Sequence, residues 1–101
     1  MPFENLVALH VVDEKGYHAY REGMMPILTR YGGGFRYDFT VERTLKSAAA
    51  HPINRLFVIT FPDRDAHARF FADPDYLKVR KQFFEPSVQG VTRIADYEPL
   101  L

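Results

Sequence analysis

The 101-residue sequence predicts an α+β fold, one antiparallel sheet carrying helices on a single face. Three observations support that expectation. Four β-rich segments and two helical stripes follow one another in the order β-α-β-β-α-β. Aspartate, proline and glycine mark the boundaries between them. No repeat, low-complexity stretch or flexible linker divides the chain, so residues 1–101 read as one domain.

The first strand runs from Glu4 to Val12. Leu6, Ala8, His10 and Val12 fall on one face, and Asn5, Val7, Leu9 and Val11 on the other. Both faces are largely apolar, which predicts cover on both sides. Asp13 then suits a helix N-cap, with Glu14 in the first turn where the dipole favours negative charge. Tyr17, Tyr20, Met24, Ile27, Leu28 and Tyr31 recur at helical spacing. Pro26 interrupts this stripe and is expected to kink it or remove one hydrogen bond. Gly32-Gly33-Gly34 ends it. Glycines after a helix and before a strand read as a left-handed C-cap, and no Lys-Ser/Thr follows to make them a phosphate loop.

Phe35 to Val41 alternates, so Phe35, Tyr37, Phe39 and Val41 are expected inward and Arg36, Asp38 and Thr40 outward. Leu45 to Asn54 reads as a loop, and Arg55 to Phe61 as a central strand. Pro62 stops that strand and Asp63 caps a helix whose apolar side holds Ala66, Phe70 and Phe71. Asp73-Pro74-Asp75 is a second start signal, so this helix is expected in two pieces. Tyr76, Leu77, Arg80, Phe83 and Phe84 belong to the second piece, which Pro86 closes, and Val88 to Tyr97 forms the last strand. This is the ferredoxin-like plan. Helices cover only one face of such a sheet, so its other apolar face is expected to meet a second sheet across a two-fold homodimer.

Composition narrows the function. Thirteen basic and 13 acidic residues give zero net charge, without the positive footprint of a nucleic-acid binder. The aromatics of Arg55 to Phe61 sit where an RNA-recognition module would stack bases, but its glycine-aromatic-glycine pattern is missing, so no nucleic acid is expected. Absence of cysteine excludes disulfides, zinc–thiolate sites, iron–sulfur clusters and thiol nucleophiles. No apolar stretch approaches the roughly 18 residues of a membrane span. Met1-Pro2-Phe3-Glu4-Asn5 shows no targeting signal, so a cytoplasmic protein without a membrane partner is expected. His10, His18, His51 and His67 fall on different segments without metal-ligand spacing. Ser47 and Ser87 lack the Gly-x-Ser-x-Gly setting, and Asp63, Asp65, Asp73 and Asp75 read as helix caps and surface charges. Neither metal nor cofactor is expected. Nine Phe and six Tyr are a large apolar load for so small a domain, which a second subunit would help to cover.

Tyr17, Tyr20 and Tyr31 share one helix face, and Tyr76 and Arg80 are an i,i+4 pair. Such residues either pack the core or line a pocket of phenols and a guanidinium suited to a small aromatic or carboxylate ligand. His10, in an apolar strand, is either a hydrogen-bonded core or interface histidine or a general base. The pocket candidates are therefore His10 as base, Tyr20, Tyr31 and Tyr76 as donors, and Arg80 as an anion clamp.

Asp13 with Tyr17-His18-Ala19-Tyr20, Pro26 with Tyr31-Gly32-Gly33, Arg55 to Pro62, and Phe70-Phe71-Ala72-Asp73-Pro74-Asp75-Tyr76 stand in a fairly specific order and spacing. Together they resemble the family called domain of unknown function 1330, in the dimeric α/β-barrel superfamily. The resemblance runs from about Val11 to Arg80 and more loosely to Tyr97. Leu45 to Asn54 and Phe83-Phe84-Glu85-Pro86 depart from it. It implies a homodimer with its two sheets back to back, and supplies no reaction. The wider superfamily includes cofactor-free monooxygenases, isomerases of small aromatic-derived acids and haem-active proteins, an analogy at the level of fold. The expected function is a small-molecule pocket between helices and sheet, with monooxygenase- or isomerase-like chemistry free of cofactors. The alternative is a non-catalytic dimerisation or partner-binding module.

Overall fold

Local capping chemistry sets most element boundaries in the computed structural model, which describes residues 1–100. The order is β1 (Phe3–Val11), α1 (Glu14–Arg30), β2 (Gly34–Thr40), β3 (Arg55–Phe61), α2 (Arg64–Ala72) and α3 (Pro74–Val79). A π-helical turn (Arg80–Phe84), a single α-turn α4 (Glu85–Ser87) and β4 (Val88–Tyr97) complete it. Asp13 caps α1 by accepting from the Gly16 amide, and Asp63 caps α2 by accepting from Ala66. Asp73 caps α3 through Asp75 and Tyr76, with Pro74 at the first helical position. Helix α1 continues through Pro26 to Arg30. It ends in a Schellman motif, the amides of Gly33 and Gly32 reaching back to the carbonyls of Leu28 and Thr29. Gly32 has φ +75°, the left-handed conformation in which a Cβ is costly.

The strands form one antiparallel sheet in the order β2-β3-β1-β4, with the helices on one face. This is the ferredoxin-like α+β fold. The two faces of β1 divide as its alternation predicts. Val7, Leu9 and Val11 enter the core with Tyr17, Tyr20, Met24, Leu28, Phe57, Ile59, Phe61, Phe70 and Tyr76. Leu9, Leu28 and Phe70 are wholly buried, and burial of each such side chain contributes roughly 1.5–3 kcal/mol.

The alternation of β2 requires a correction. Its register against β3 slips between Phe35 and Tyr37, so Arg36 occupies a bulge. Phe35 stays on the helix side against Phe57, and Asp38 joins it there, reached by Arg21 of α1. Tyr37 and Phe39 turn to the open face, where their rings stack at 6.1 Å and remain 49% and 52% exposed. One extra residue exchanged the faces of the rest of the strand. Two further slips in the β1–β4 pairing, at Ile94 and at Gln89, explain why the alternation of β4 reads poorly.

The segment between β2 and β3 crosses one end of the sheet. Asn54 pairs with both backbone groups of Val11 at 2.8 Å, and His51 Nε2 meets the Thr92 hydroxyl at 2.8 Å. The His51 ring lies against Gly90, where an added Cβ would come within 2.3 Å of it. Glycine is required at that position for the loop to close onto β4.

Candidate functional site

A cavity of about 330 Å³ lies between the sheet and the helices. Its walls are mainly apolar and aromatic, among them Val7, Leu9, Met24, Phe57, Ile59 and Phe84. That is the small end of the range for ligand pockets, with room for about ten waters or a ligand with on the order of ten non-hydrogen atoms. Polar groups reach it in three clusters.

The first is Tyr20, Tyr76 and Arg80. Tyr20 projects from the middle of α1 and Tyr76 from the first turn of α3, and their hydroxyls meet at 2.9 Å. Two hydroxyls sharing one hydrogen bond leave one O–H proton free to donate elsewhere. Burial, and then the neighbouring Tyr76, push the Tyr20 phenol well above its ordinary range; burial also raises Tyr76. Both are therefore neutral donors at physiological pH. Arg80 opens the π-helical turn with its guanidinium 5.5 Å from the Phe84 ring centre. Pro86 cannot donate to the carbonyl four residues before it, and the wider turn upstream accommodates that loss while bringing Arg80 and Phe84 to the cavity.

Tyr17 and Arg21 form the second cluster. Arg21 Nε donates to the Tyr17 hydroxyl at 2.8 Å, and the same guanidinium grips Asp38 through both Nη atoms at 2.9 and 3.1 Å. Arg55 makes a second fork on Asp38 at 2.9 and 3.0 Å. Desolvation opposes charge on Asp38, but the bonds from Arg55 and Arg21 outweigh it and hold this carboxyl below its ordinary range. The two arginines are thus fixed by one carboxylate, and the cluster keeps a net positive charge at the cavity wall.

The third cluster is His67, Asn5 and Arg93. His67 Nε2 meets Asn5 Oδ1 at 2.8 Å, and Asn5 Nδ2 donates to Asp96 at 2.8 Å. Burial, then the charge of Arg93, lower the His67 imidazole below its ordinary value of 6.5, with Asp96 opposing and Arg64 adding to the shift. Among the described residues no group of three His, Asp or Glu side chains is placed to hold a metal ion.

Of the five candidates drawn from the sequence, the fold brings Tyr20, Tyr76 and Arg80 together at the cavity. It separates the other two. His10 lies on the opposite face of β1, opposite Gly90 and half-buried, so it cannot serve this cavity as a base. Tyr31 is the C-cap of α1, and its hydroxyl donates to Asp73 Oδ2 at 2.6 Å, tying that helix end to the α2–α3 junction. That bond raises the Tyr31 phenol and lowers the Asp73 carboxyl. Asn5 and His67, which the motifs passed over, were legible in the patterns. Asn5 is the one polar residue in the Asn5-Val7-Leu9-Val11 register, and His67 precedes Phe70 and Phe71 at helical spacing.

The family described as "Domain of unknown function (DUF1330)" matches residues 5–92. The chain belongs to the DUF1330 family. None of the curated proteins matches it. A crystal structure of a protein of unknown function from Rhodopseudomonas palustris is similar to this DUF1330 chain over 99% of its length and 83% of the other, with TM-score 0.81 and 20% identity. A dimeric protein of unknown function with a ferredoxin-like fold, from Bacteroides fragilis, covers 96% and 95% with TM-score 0.61 and 13% identity. A Bacteroides thetaiotaomicron protein whose name places it among antibiotic biosynthesis monooxygenases covers 99% and 90%, with TM-score 0.67 and 19% identity. At such identities the likeness shows the fold, which this DUF1330 member shares with proteins of differing description.

Proposed function

We propose that this DUF1330 protein binds a compact, mainly apolar organic ligand bearing an oxygen anion or carbonyl, in the cavity between α1, α3 and the sheet. Cofactor-independent chemistry of the isomerase or monooxygenase class is the activity that fits it best. The carrying observation is the Tyr20–Tyr76 hydroxyl pair, a donor with a spare proton set in an apolar cavity of about 330 Å³. In such surroundings a preorganised donor stabilises developing negative charge on oxygen far better than water-exposed groups do. Arg80 adds a positive charge at the same place. The open space between helices and sheet is what a pure dimerisation module would not need.

The test is ligand-induced thermal stabilisation across a panel of small aromatic acids and phenols. A ligand at 100 times its Kd should raise stability by about 2.7 kcal/mol. Tyr20→Phe removes one hydrogen bond and should weaken the best ligand roughly 5- to 20-fold. Arg80→Ala should weaken anionic ligands only, by a few-fold. If both variants leave the stabilisation unchanged, the site is assigned wrongly.

The second part of the proposal is a homodimer in the cytoplasm, the sheets meeting through their open faces. Tyr37 and Phe39, each about half exposed, support it, because large aromatic side chains stacked on one sheet face are an expensive surface to leave in water. The DUF1330 chain should therefore elute from size exclusion with light scattering at twice its 11.7 kDa mass. Phe39→Asp should give a folded monomer, since an exposed substitution changes the single chain by only about ±0.5 kcal/mol. A wild-type monomer at micromolar concentration would reject this assembly. No helix among the described residues is long and apolar enough to cross a membrane.

A further inference from the structure

We propose that His67 is the proton acceptor of the cavity, oriented by Asn5 and Asp96, and that the ligand is a compact weak acid held as its anion by Tyr20, Tyr76 and Arg80. A phenol or an enolisable carbonyl compound is the chemical class. The inference deepens the ligand-binding reading above and rests on it.

Asp96 fixes the orientation of the Asn5 amide. An ionised carboxylate only accepts, so the Asn5 group 2.8 Å from it is the amide nitrogen, donating. The Asn5 carbonyl must then face His67, and an acceptor there requires that His67 Nε2 carry a proton. Reversing the Asn5 amide would set its oxygen against the carboxylate, two acceptors with no proton between them. Arg93 holds Asp96 in turn at 2.9 Å. Asn5 is 1% exposed, so its amide has no room to exchange these partners for water. The tautomer is fixed from the surface inward, and the lone pair of the neutral imidazole lies on Nδ1. That nitrogen has no hydrogen-bond partner among the described residues and is not sealed from solvent. His67 is part of the cavity wall, and the Phe71 ring stands between it and the hydroxyl pair, 4.9 Å from His67 and 5.5 Å from Tyr76.

The charged groups facing His67 keep it available as a base. Arg64 on its own helix and Arg93 on β4 disfavour the imidazolium, Asp96 on β4 favours it, and Asn5 on β1 is neutral. The rings of Phe3, Phe61 and Phe71 pack against the imidazole, with centres 5.0, 5.0 and 4.9 Å away. The result is a neutral imidazole near neutral pH that is still able to take a proton. In the proposed step a ligand O–H, or a C–H beside a carbonyl, gives its proton to Nδ1. The electron pair of that bond stays on the ligand and is delocalised, as in a nitrophenolate or an extended enolate, onto a second oxygen beyond the Phe71 ring, which receives the free O–H of the tyrosine pair. Returning the same proton to a different atom completes an isomerisation, with no electron acceptor required.

The probe is p-nitrophenol, whose phenolate is yellow and whose neutral form is not. Titrated in the presence of excess wild-type protein, its apparent pKa should fall by about one unit, a tenfold change in the phenolate-to-phenol ratio. His67→Gln keeps an N–H for Asn5 but has no base; it should still bind the probe, and only the part of the shift that Tyr20, Tyr76 and Arg80 supply by holding the anion should remain. In the wild-type protein without ligand, imidazole nitrogen NMR should show Nε2 protonated and Nδ1 bare, and Asp96→Asn should mix the tautomers. The proposal is overturned if the probe binds as the neutral phenol, if His67→Gln retains the full shift, or if Nδ1 carries the proton. Failure of p-nitrophenol to bind while aromatic carboxylates still stabilise the protein also overturns it, and leaves the ligand-binding reading standing. Failure of both probes removes that reading as well.

Discussion

Phe70→Ala should destabilise the protein by about 3–5 kcal/mol. Phe70 is wholly buried, and its ring touches four others. Tyr76 lies at 4.4 Å, Phe71 at 4.9 Å, Phe61 at 5.6 Å and Tyr31 at 6.1 Å. It is the point where α2, α3, β3 and the end of α1 share one contact. Those neighbours are held independently, Tyr76 by the Tyr20 hydroxyl and Tyr31 by Asp73, so they cannot collapse into the space left behind. The loss therefore includes a cavity contribution as well as the lost transfer energy. A domain of this size has a total stability of roughly 5–15 kcal/mol, so the variant should be marginal at 37 °C. Urea unfolding is the measurement: the midpoint should fall sharply with the slope unchanged. Phe70→Leu should lose less than half as much. An alanine variant within about 1 kcal/mol of wild type would show that the aromatic cluster is loosely packed.

The residues that make this cluster are also those the sequence displays most openly. Capping aspartates at positions 13, 63 and 73, Pro74 at the start of α3 and the glycines after Arg30 each act through neighbours a few residues away, and such signals survive in a linear string. Helical spacing likewise placed Tyr20 and Tyr76 on inward faces, and the i,i+4 relation brought Arg80 with them. Tyr31 shares the spacing but lies one turn too late: at the helix end its hydroxyl finds a capping carboxylate before it reaches the cavity. What could not be read locally was parity. A bulge at Arg36 moves Asp38 inward and Tyr37 and Phe39 outward, because a strand has only two faces and one extra residue exchanges them. The same alternation separated His10 from Asn5, but which set would meet the helices depends on how the sheet is covered. The spacing of His67 to Phe70 and Phe71 shows its inward face but not its role. Its partner is 62 residues away, and only the folded chain brings the two together.

Arg36 provides the second large effect, because its position in the bulge aims it at a buried charge. Glu4 is 0% exposed, and its Oε2 lies 2.8 Å from Arg36 Nε. Neither Glu4 oxygen has a hydrogen bond of good geometry among the described residues, so the ion pair is the main compensation for its lost hydration. Burial, and then this carboxylate, raise the nearby Tyr97 phenol. Removing one partner of a buried pair costs about 3–5 kcal/mol where both are buried. The Arg36 side chain is 40% exposed, so water already shares the solvation of the pair and a smaller loss, about 2 kcal/mol, is expected for Arg36→Met. That still exceeds the roughly 0.5 kcal/mol typical of a surface substitution. The diagnostic result is the double variant. Glu4→Gln with Arg36→Met removes the stranded charge and should recover most of the loss, giving a coupling of about 1–2 kcal/mol in a double-mutant cycle measured by urea unfolding. Additive losses would mean that Arg36 acts through the packing of its stem on Tyr37, 5.4 Å from its guanidinium, and that Glu4 is solvated by some other route.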